Sequence, residues 1–143
     1  MTKVVAFLAG IFLFSPIVLN TPVHASKVET QQLSTTLHVV GQMTVERFQQ
    51  LMDSKQFRSV VVNRPDEESG NMVTVARLRP IAEQAKLSLV YQPVISGKIS
   101  QADIVEFAQY YNTLPKPILM ICKSGTRSRL LFQQAKAQGL LNE

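Results

Sequence analysis

The chain has 143 residues, with fifteen basic and ten acidic side chains and a net charge of +5. That excess is small and unclustered. It excludes the basic stripe interleaved with stacking aromatics that a nucleic-acid track requires, and it suits a small anionic substrate. A single cysteine excludes any intramolecular disulfide.

Lys3 gives a short positive start, and Val4 to Phe14 is an unbroken apolar or small run that Pro16 breaks. The run is too short to span a bilayer as an ordinary helix. Val23, His24 and Ala25 place small or modest residues where a signal peptidase reads. Residues 1–25 therefore read as a secretory signal cut after Ala25, against the alternative of an uncleaved anchor. The expected destination is the periplasm of a Gram-negative source, or the medium otherwise, with no stable membrane anchor left behind. Cleavage would remove Lys3 and leave 118 residues, a length for one domain with one hydrophobic core. An unpaired thiol in an oxidising compartment reads as reactive; the competing reading is a buried, inert cysteine.

Residues 26–36 are polar and read as a flexible N-terminal segment, and residues 37–143 as the catalytic domain. Leu37 to Val40 starts a first strand. Thr44 caps a helix on which Val45, Phe48 and Leu51 share a face. Arg58 to Asn63 contains Val60, Val61 and Val62, a β-branched run typical of a buried strand. Arg64 to Asn71 is a polar loop with Pro65, three acids and Gly70. Pro80 is tolerated only near a helix start, which puts the next helix start close to Leu78. Leu87 to Pro93 is a strand, and Ser96-Gly97-Lys98 a turn. Ser100 and Asp103 form a capping box for a helix reaching about Asn112, with Ile104, Phe107, Ala108 and Tyr111 on its apolar face. Ile118 to Ile121 is a fully apolar strand, and Thr126 to Gln138 a helix ending at Gly139. The alternation predicts an α/β fold, a mainly parallel central sheet flanked by helices.

The chemistry gathers at Cys122, Lys123, Ser124, Gly125, Thr126, Arg127 and Ser128. A buried strand delivers Cys122 to the carboxyl edge of the sheet, where open α/β sheets place ligands. A helix starts at once, so its first N–H groups and those of the loop converge on one spot that holds anions and favours a thiolate. Gly125 permits the positive φ that lets the loop curl. Lys123, Arg127 and Arg129 crowd a helix start where the dipole favours acids, so these cations read as anion binders, against the alternative of solvated surface charges. Ser128 would either donate to the sulfur or face solvent.

This segment, with Val60-Val61-Val62-Asn63-Arg64-Pro65-Asp66-Glu67-Glu68 upstream, the Val40-Gly41-Gln42 opening and Pro93-Val94, resembles the phosphatase-like domain of beta-lactamase-hydrolase-like proteins. The likeness runs from about Leu37 to Ala137. It implies a fold similar to dual-specificity phosphatases, with Cys122 as nucleophile and Arg127 as anion binder. Against cysteine phosphatases, which place five residues between Cys and Arg, this chain places four. The shorter cradle resembles the active loop of rhodaneses, which carry a persulfide, and Ser128 stands at the phosphatase Arg spacing. Such phosphatases also carry a mobile-loop Asp that protonates the leaving alcohol, yet Pro93 to Ile99 has no acid. Asp103 and Asp66 are the nearest substitutes. Asp103 is equally explained as the partner of Ser100 in the cap, and Asp66 as a turn residue after Pro65. Arg64 would line the site or pair with those acids.

His38, the sole histidine beyond the signal, sits early in the chain and argues against a Cys–His dyad. No Cys/His cluster suggests a metal, and no cofactor is implied. Three functions compete. The first is sulfane-sulfur transfer through a Cys122 persulfide, which a sulfur-containing donor would load. The second is hydrolysis of phosphate esters through a phosphocysteine. The third is a non-enzymatic anion-binding or thiol-trapping module. No protein partner can be read from the sequence.

Overall fold

In the computed structural model, Lys3 and residues 29–143 are described; apart from Lys3, the expected secretory signal and its expected cut after Ala25 lie outside the described residues. The elements run β1 (Gln31–Ser34), β2 (Leu37–Val40), α1 (Val45–Asp53), β3 (Ser59–Val62), α2 (Val75–Gln84), β4 (Ser88–Tyr91), α3 (Gln101–Thr113), β5 (Ile118–Ile121) and α4 (Thr126–Ala137). One five-stranded sheet has the order β1-β2-β5-β3-β4. Only β1 and β2 are antiparallel; β2, β5, β3 and β4 run parallel. This is the expected α/β class.

Side-chain alternation divides two apolar layers. Val60, Val62, Leu119 and Ile121 face Phe48, Leu51, Leu78 and Ala82, so α1 and α2 cover one side. Val61, Ile118 and Met120 face Ile104, Phe107, Leu131 and Ala135, so α3 and α4 cover the other. Strands buried on both faces explain the uninterrupted apolar runs at 60–62 and 118–121. The register pairs Ile121 with both Val40 and Val62, and Val62 with Tyr91. Four strands therefore end level, and the residues after them (Gly41, Asn63, Gln92 and Cys122) meet at one edge.

Two expectations differ from the structure. The segment expected to be flexible over residues 26–36 contains β1, whose Gln31 and Gln32 pair with Val39 and His38. An edge strand exposed on one side needs few apolar residues, and only Leu33 packs on the core, so polar composition hid it. The helix expected to begin near Leu78 begins at Val75, with Pro80 inside it. The Asp66 carboxylate, nine residues upstream, accepts the Val75 N–H at 2.9 Å and caps the helix start. Pro80 and Ala76 are exposed, so water can satisfy the carbonyl left without its helical donor.

α3 carries the expected capping box: Ser100 Oγ accepts the Asp103 N–H at 3.1 Å, and Asp103 Oδ2 accepts the Ser100 N–H at 2.8 Å. Thr44 likewise caps α1, accepting the Arg47 N–H at 3.3 Å. Among the described residues, no helix is long and apolar enough to cross a membrane.

Candidate active site

β5 is the middle strand, and Cys122 follows it directly. The Cys122 N–H donates to Val40 O at 3.3 Å, which holds the residue as if the strand ran one step further. The chain then turns through Lys123 and Ser124 to Gly125, whose φ of +87° makes it the left-handed N-cap of α4. That conformation is costly for a residue with a Cβ. It aims the Gly125 N–H back at the sulfur, and the N–H donates to Cys122 Sγ at 3.0 Å. The first intrahelical bond is Arg129 N–H to Gly125 O. The N–H groups of Thr126, Arg127 and Ser128 therefore have no partner within the helix and stand at its positive end.

The loop is pinned from outside by Gly41 and Gln42. The Gln42 N–H donates to Lys123 O at 3.0 Å. A Cβ at Gly41 would stand 3.0 Å from that same oxygen, so a larger residue there would press on the loop backbone. Lys123, Ser124 and Thr126 are exposed around the rim, and Ser124 Oγ donates to Thr126 Oγ1 at 3.2 Å.

Arg127 is buried and mostly committed. Its Nη1 donates to Val94 O at 2.8 Å and Asn63 O at 3.3 Å, and its Nη2 to Glu68 Oε2 at 2.9 Å. Its Nε is the one buried side-chain polar atom among the described residues with no hydrogen-bond partner. Glu68 also accepts Arg64 Nε at 2.9 Å, so one carboxylate bridges two buried guanidiniums. Arg64 completes its donors on Ser69 O, at 2.9 Å, and on Gln42 Oε1. Of the two roles open to Arg64, pairing with the acids of its own loop is the one its contacts show.

Ser128 neither bonds the sulfur nor faces solvent. It is fully buried and donates to Asn63 Oδ1 at 2.9 Å. Asn63 Nδ2 in turn donates to Gln92 O at 3.2 Å. A hydroxyl at the start of α4 thus ties the helix to the ends of β3 and β4. Asp66 and Asp103, the two acids nearest in sequence to serving as proton donors, both cap helices. Tyr91, whose Oη accepts the Asp66 N–H at 2.8 Å, has its pKa raised by burial.

A cavity of about 730 Å³ opens beside Cys122, with Lys123, Ser124, Thr126 and Arg127 around it and no carboxylate in its lining. A second cavity, of about 20 Å³, lies against Cys122 on the Gln42 and Arg64 side. Among the described residues, no group of three or more His, Cys, Asp or Glu side chains could hold a metal ion. The roles of Glu68, Asn63 and Gln42 were not assigned from sequence. The signals were faint: Glu68 stands four residues after Arg64, a spacing that reads as an ordinary surface pair in a loop of acids. Asn63 follows a buried strand to the edge where ligands gather.

The described geometry has close counterparts. The family described as "Beta-lactamase hydrolase-like protein, phosphatase-like domain" matches residues 29–139. Beta-lactamase hydrolase-like proteins of Xylella fastidiosa and Agrobacterium fabrum are 31% and 27% identical to it over 100 and 106 residues. These stretches cover 70% and 74% of this chain but 23% and 24% of the relatives, so the chain spans about a quarter of their length. Among solved structures, a proposed phosphatase of Neisseria meningitidis is 28% identical, with a TM-score of 0.68 and 76% of each chain covered. The core catalytic domain of a PP-IP phosphatase of S. cerevisiae, solved with citrate, shares the fold at 17% identity and a TM-score of 0.59, covering 77% of this chain and 66% of its own.

Proposed function

The chain belongs to the phosphatase-like domain family of beta-lactamase hydrolase-like proteins, and from that premise we propose that it is a cysteine-dependent hydrolase of phosphate monoesters. The observation that carries this is the Gly125 N–H on Cys122 Sγ at 3.0 Å, at the mouth of a helix N-terminus and in the wall of the 730 Å³ cavity. That N–H fixes the sulfur at the mouth of the cavity, aimed where a bound phosphoryl group would sit. The unpaired N–H groups of the first helical turn converge where phosphoryl oxygens would sit. Arg127 Nε, buried and unpartnered, offers a further donor beside the same cavity.

In the first step Cys122 Sγ attacks phosphorus, the S–P bond forms and the P–O bond to the alcohol breaks. The departing oxygen takes a proton from water, because the cavity lining holds no carboxylate. Water then attacks the phosphocysteine, releasing phosphate and restoring the thiolate. The missing acid makes the first step sensitive to the leaving group, so aryl esters should exceed alkyl esters.

A second reading, sulfane-sulfur transfer, is favoured by the four residues between Cys122 and Arg127 and by the same missing acid. The thiolate would attack the outer sulfur of thiosulfate, expel sulfite and hold a persulfide, which cyanide would take as thiocyanate. One experiment separates the readings: wild type and Cys122→Ser are assayed with an aryl phosphate and with thiosulfate plus cyanide. Hydrolysis of the phosphate, lost by roughly a thousandfold or more in the serine variant, is expected. Turnover of thiosulfate alone transfers the assignment to sulfur chemistry. Activity absent from both, or surviving Cys122→Ser, rejects both and leaves an anion-binding module.

A further inference from the structure

We propose that the cavity beside Cys122 selects esters whose leaving group is an extended, uncharged and partly apolar body, and rejects polyanionic ones. The inference rests on the hydrolase reading above and names its substrate class.

The floor of the cavity is a single stripe of α4. Thr126, Leu130, Gln134 and Gln138 all line it. They are four residues apart and so stack on one helical face. Twelve residues at about 1.5 Å each make the stripe roughly 18 Å long. Ile99, Gln101 and Ile104 form part of the facing wall, contributed by the approach to α3 and its first turn.

Charge is distributed unevenly along this groove. Its charged lining residues are Lys123 and Arg127, and both stand at the Cys122 end. Arg129 and Lys136 lie on other faces of α4, and Lys136 is paired with Glu143 at 2.9 Å. The far end is closed by a reciprocal amide pair: Gln101 Nε2 donates to Gln138 Oε1 at 2.7 Å, and Gln138 Nε2 to Gln101 Oε1 at 3.2 Å. A substrate therefore meets cations at its head, then aliphatic surface, then neutral amides. A body carrying further phosphates would place them away from Lys123 and Arg127, against a lining that offers no charge there to offset their lost hydration; Lys98, between Gly97 and Ile99, is exposed and is not part of the lining.

In the apolar middle Ile104 belongs to the core and Ile99 packs against it, whereas Leu130 is part of neither core layer. Leu130 is 40% exposed at mid-helix, and Ile95, beside the lining residue Ser96, is 62% exposed. These are two of the four large hydrophobic side chains exposed among the described residues. A volume of about 730 Å³ lies within the usual range for small-molecule sites, roughly 300–1,000 Å³.

The test uses the full chain with three substrates: phenyl phosphate, biphenyl-4-yl phosphate and an inositol polyphosphate. The first two have similar leaving groups and differ mainly in body length. Biphenyl-4-yl phosphate is expected to exceed phenyl phosphate by about tenfold in kcat/KM, with the gain in KM, and the inositol polyphosphate to be the poorest. Leu130→Lys should reduce that ratio to within about threefold of one. Gln134→Glu, measured alongside, guards against a folding defect in the first variant and should also lower the ratio. A wild-type ratio near one, a ratio unmoved by both variants, or preference for the polyphosphate overturns the proposal. Should no ester be hydrolysed, the hydrolase reading fails by itself. Calorimetry with biphenyl-4-ylphosphonate against phenylphosphonate then decides the groove: tighter binding of the longer ligand, weakened by Leu130→Lys, upholds it, and equal binding overturns it.

Discussion

Replacing Glu68 by Gln is expected to destabilise the domain far more than its loop position suggests. The Glu68 side chain is 22% exposed, but the two guanidiniums it bridges are only 3% and 5% exposed, each at 2.9 Å. Removing one partner of a fully buried pair costs about 3–5 kcal/mol, because the charge left behind has lost its hydration. An exposed pair at this spacing is worth about 0–1 kcal/mol. Glu68 lies between these limits: its partners are buried, solvent reaches its own carboxylate, and Gln keeps one acceptor oxygen. The working figure is roughly 2 kcal/mol. For a domain of this size each kcal/mol moves the thermal midpoint by roughly 3–6 °C, so the midpoint should fall by about 6–12 °C. Circular dichroism melts of wild type and Glu68→Gln measure it, with Arg64→Met and the double variant closing a cycle. The cycle should be strongly non-additive, since Arg64 without Glu68 is a buried, poorly paired charge. A fall of less than about 2 °C would refute the reasoning, because it would put Glu68 in the class of ordinary surface pairs.

Gly125→Ala should cost about 1–2 kcal/mol through its φ of +87°, and Gly125→Asn clearly less, since Asn tolerates the left-handed region; equal denaturant midpoints for the two variants would contradict a backbone origin. Asp103→Asn should lower stability by about 1 kcal/mol through the capping box, with kcat for an aryl phosphate moved by less than about threefold; a large fall in kcat would make Asp103 the missing acid. His38 has its pKa held below the ordinary value of 6.5 by burial, so the folded state takes up its proton less readily than the unfolded chain. Its contribution is complete above about pH 6.5 and is lost as pH falls through the lower, folded value. Denaturant midpoints at pH 7.5 and 5.0 should therefore differ less in His38→Gln than in wild type, and an identical difference would remove His38 as a cause.

Periodicity and capping made most of the architecture legible. Val60 to Val62 and Ile118 to Ile121 read as strands because both of their faces are covered, and Ser100 and Asp103 marked a helix start that the structure keeps. What stayed hidden depends on contacts distant in sequence. β1 forms because β2 offers it a free edge, and its own composition records only Leu33. The early start of α2 depends on Asp66, whose carboxylate reaches Val75 across a loop. Ser128 falls on the expected first turn of α4 but takes neither of its two expected roles, donor to the sulfur or solvent-facing hydroxyl, since Asn63 stands opposite only once β3 and β5 lie side by side. Cys122 and Gly125 were legible for the opposite reason: their relation is local, three residues apart, and is set by one turn of backbone.

The same distinction bears on the length of the Cys122-to-Arg127 gap, the feature by which the sequence resembles a rhodanese loop. Arg127 does not reach the loop as a free guanidinium whose position follows from spacing alone. Val94 O, Asn63 O and Glu68 take its two terminal nitrogens, and Nε is the donor left over beside the cavity. With one edge of the group fixed by residues 64, 59 and 33 positions upstream, a residue inserted before Arg127 would have to break those bonds or bulge the loop. The number of oxygens the site can hold is then governed as much by Glu68 and the ends of β3 and β4 as by the count of residues from the cysteine. Loop length therefore weighs less for sulfur over phosphate chemistry than spacing alone suggested. The missing carboxylate beside Cys122 weighs more, because it restricts whichever leaving group departs to one that needs little help from an acid.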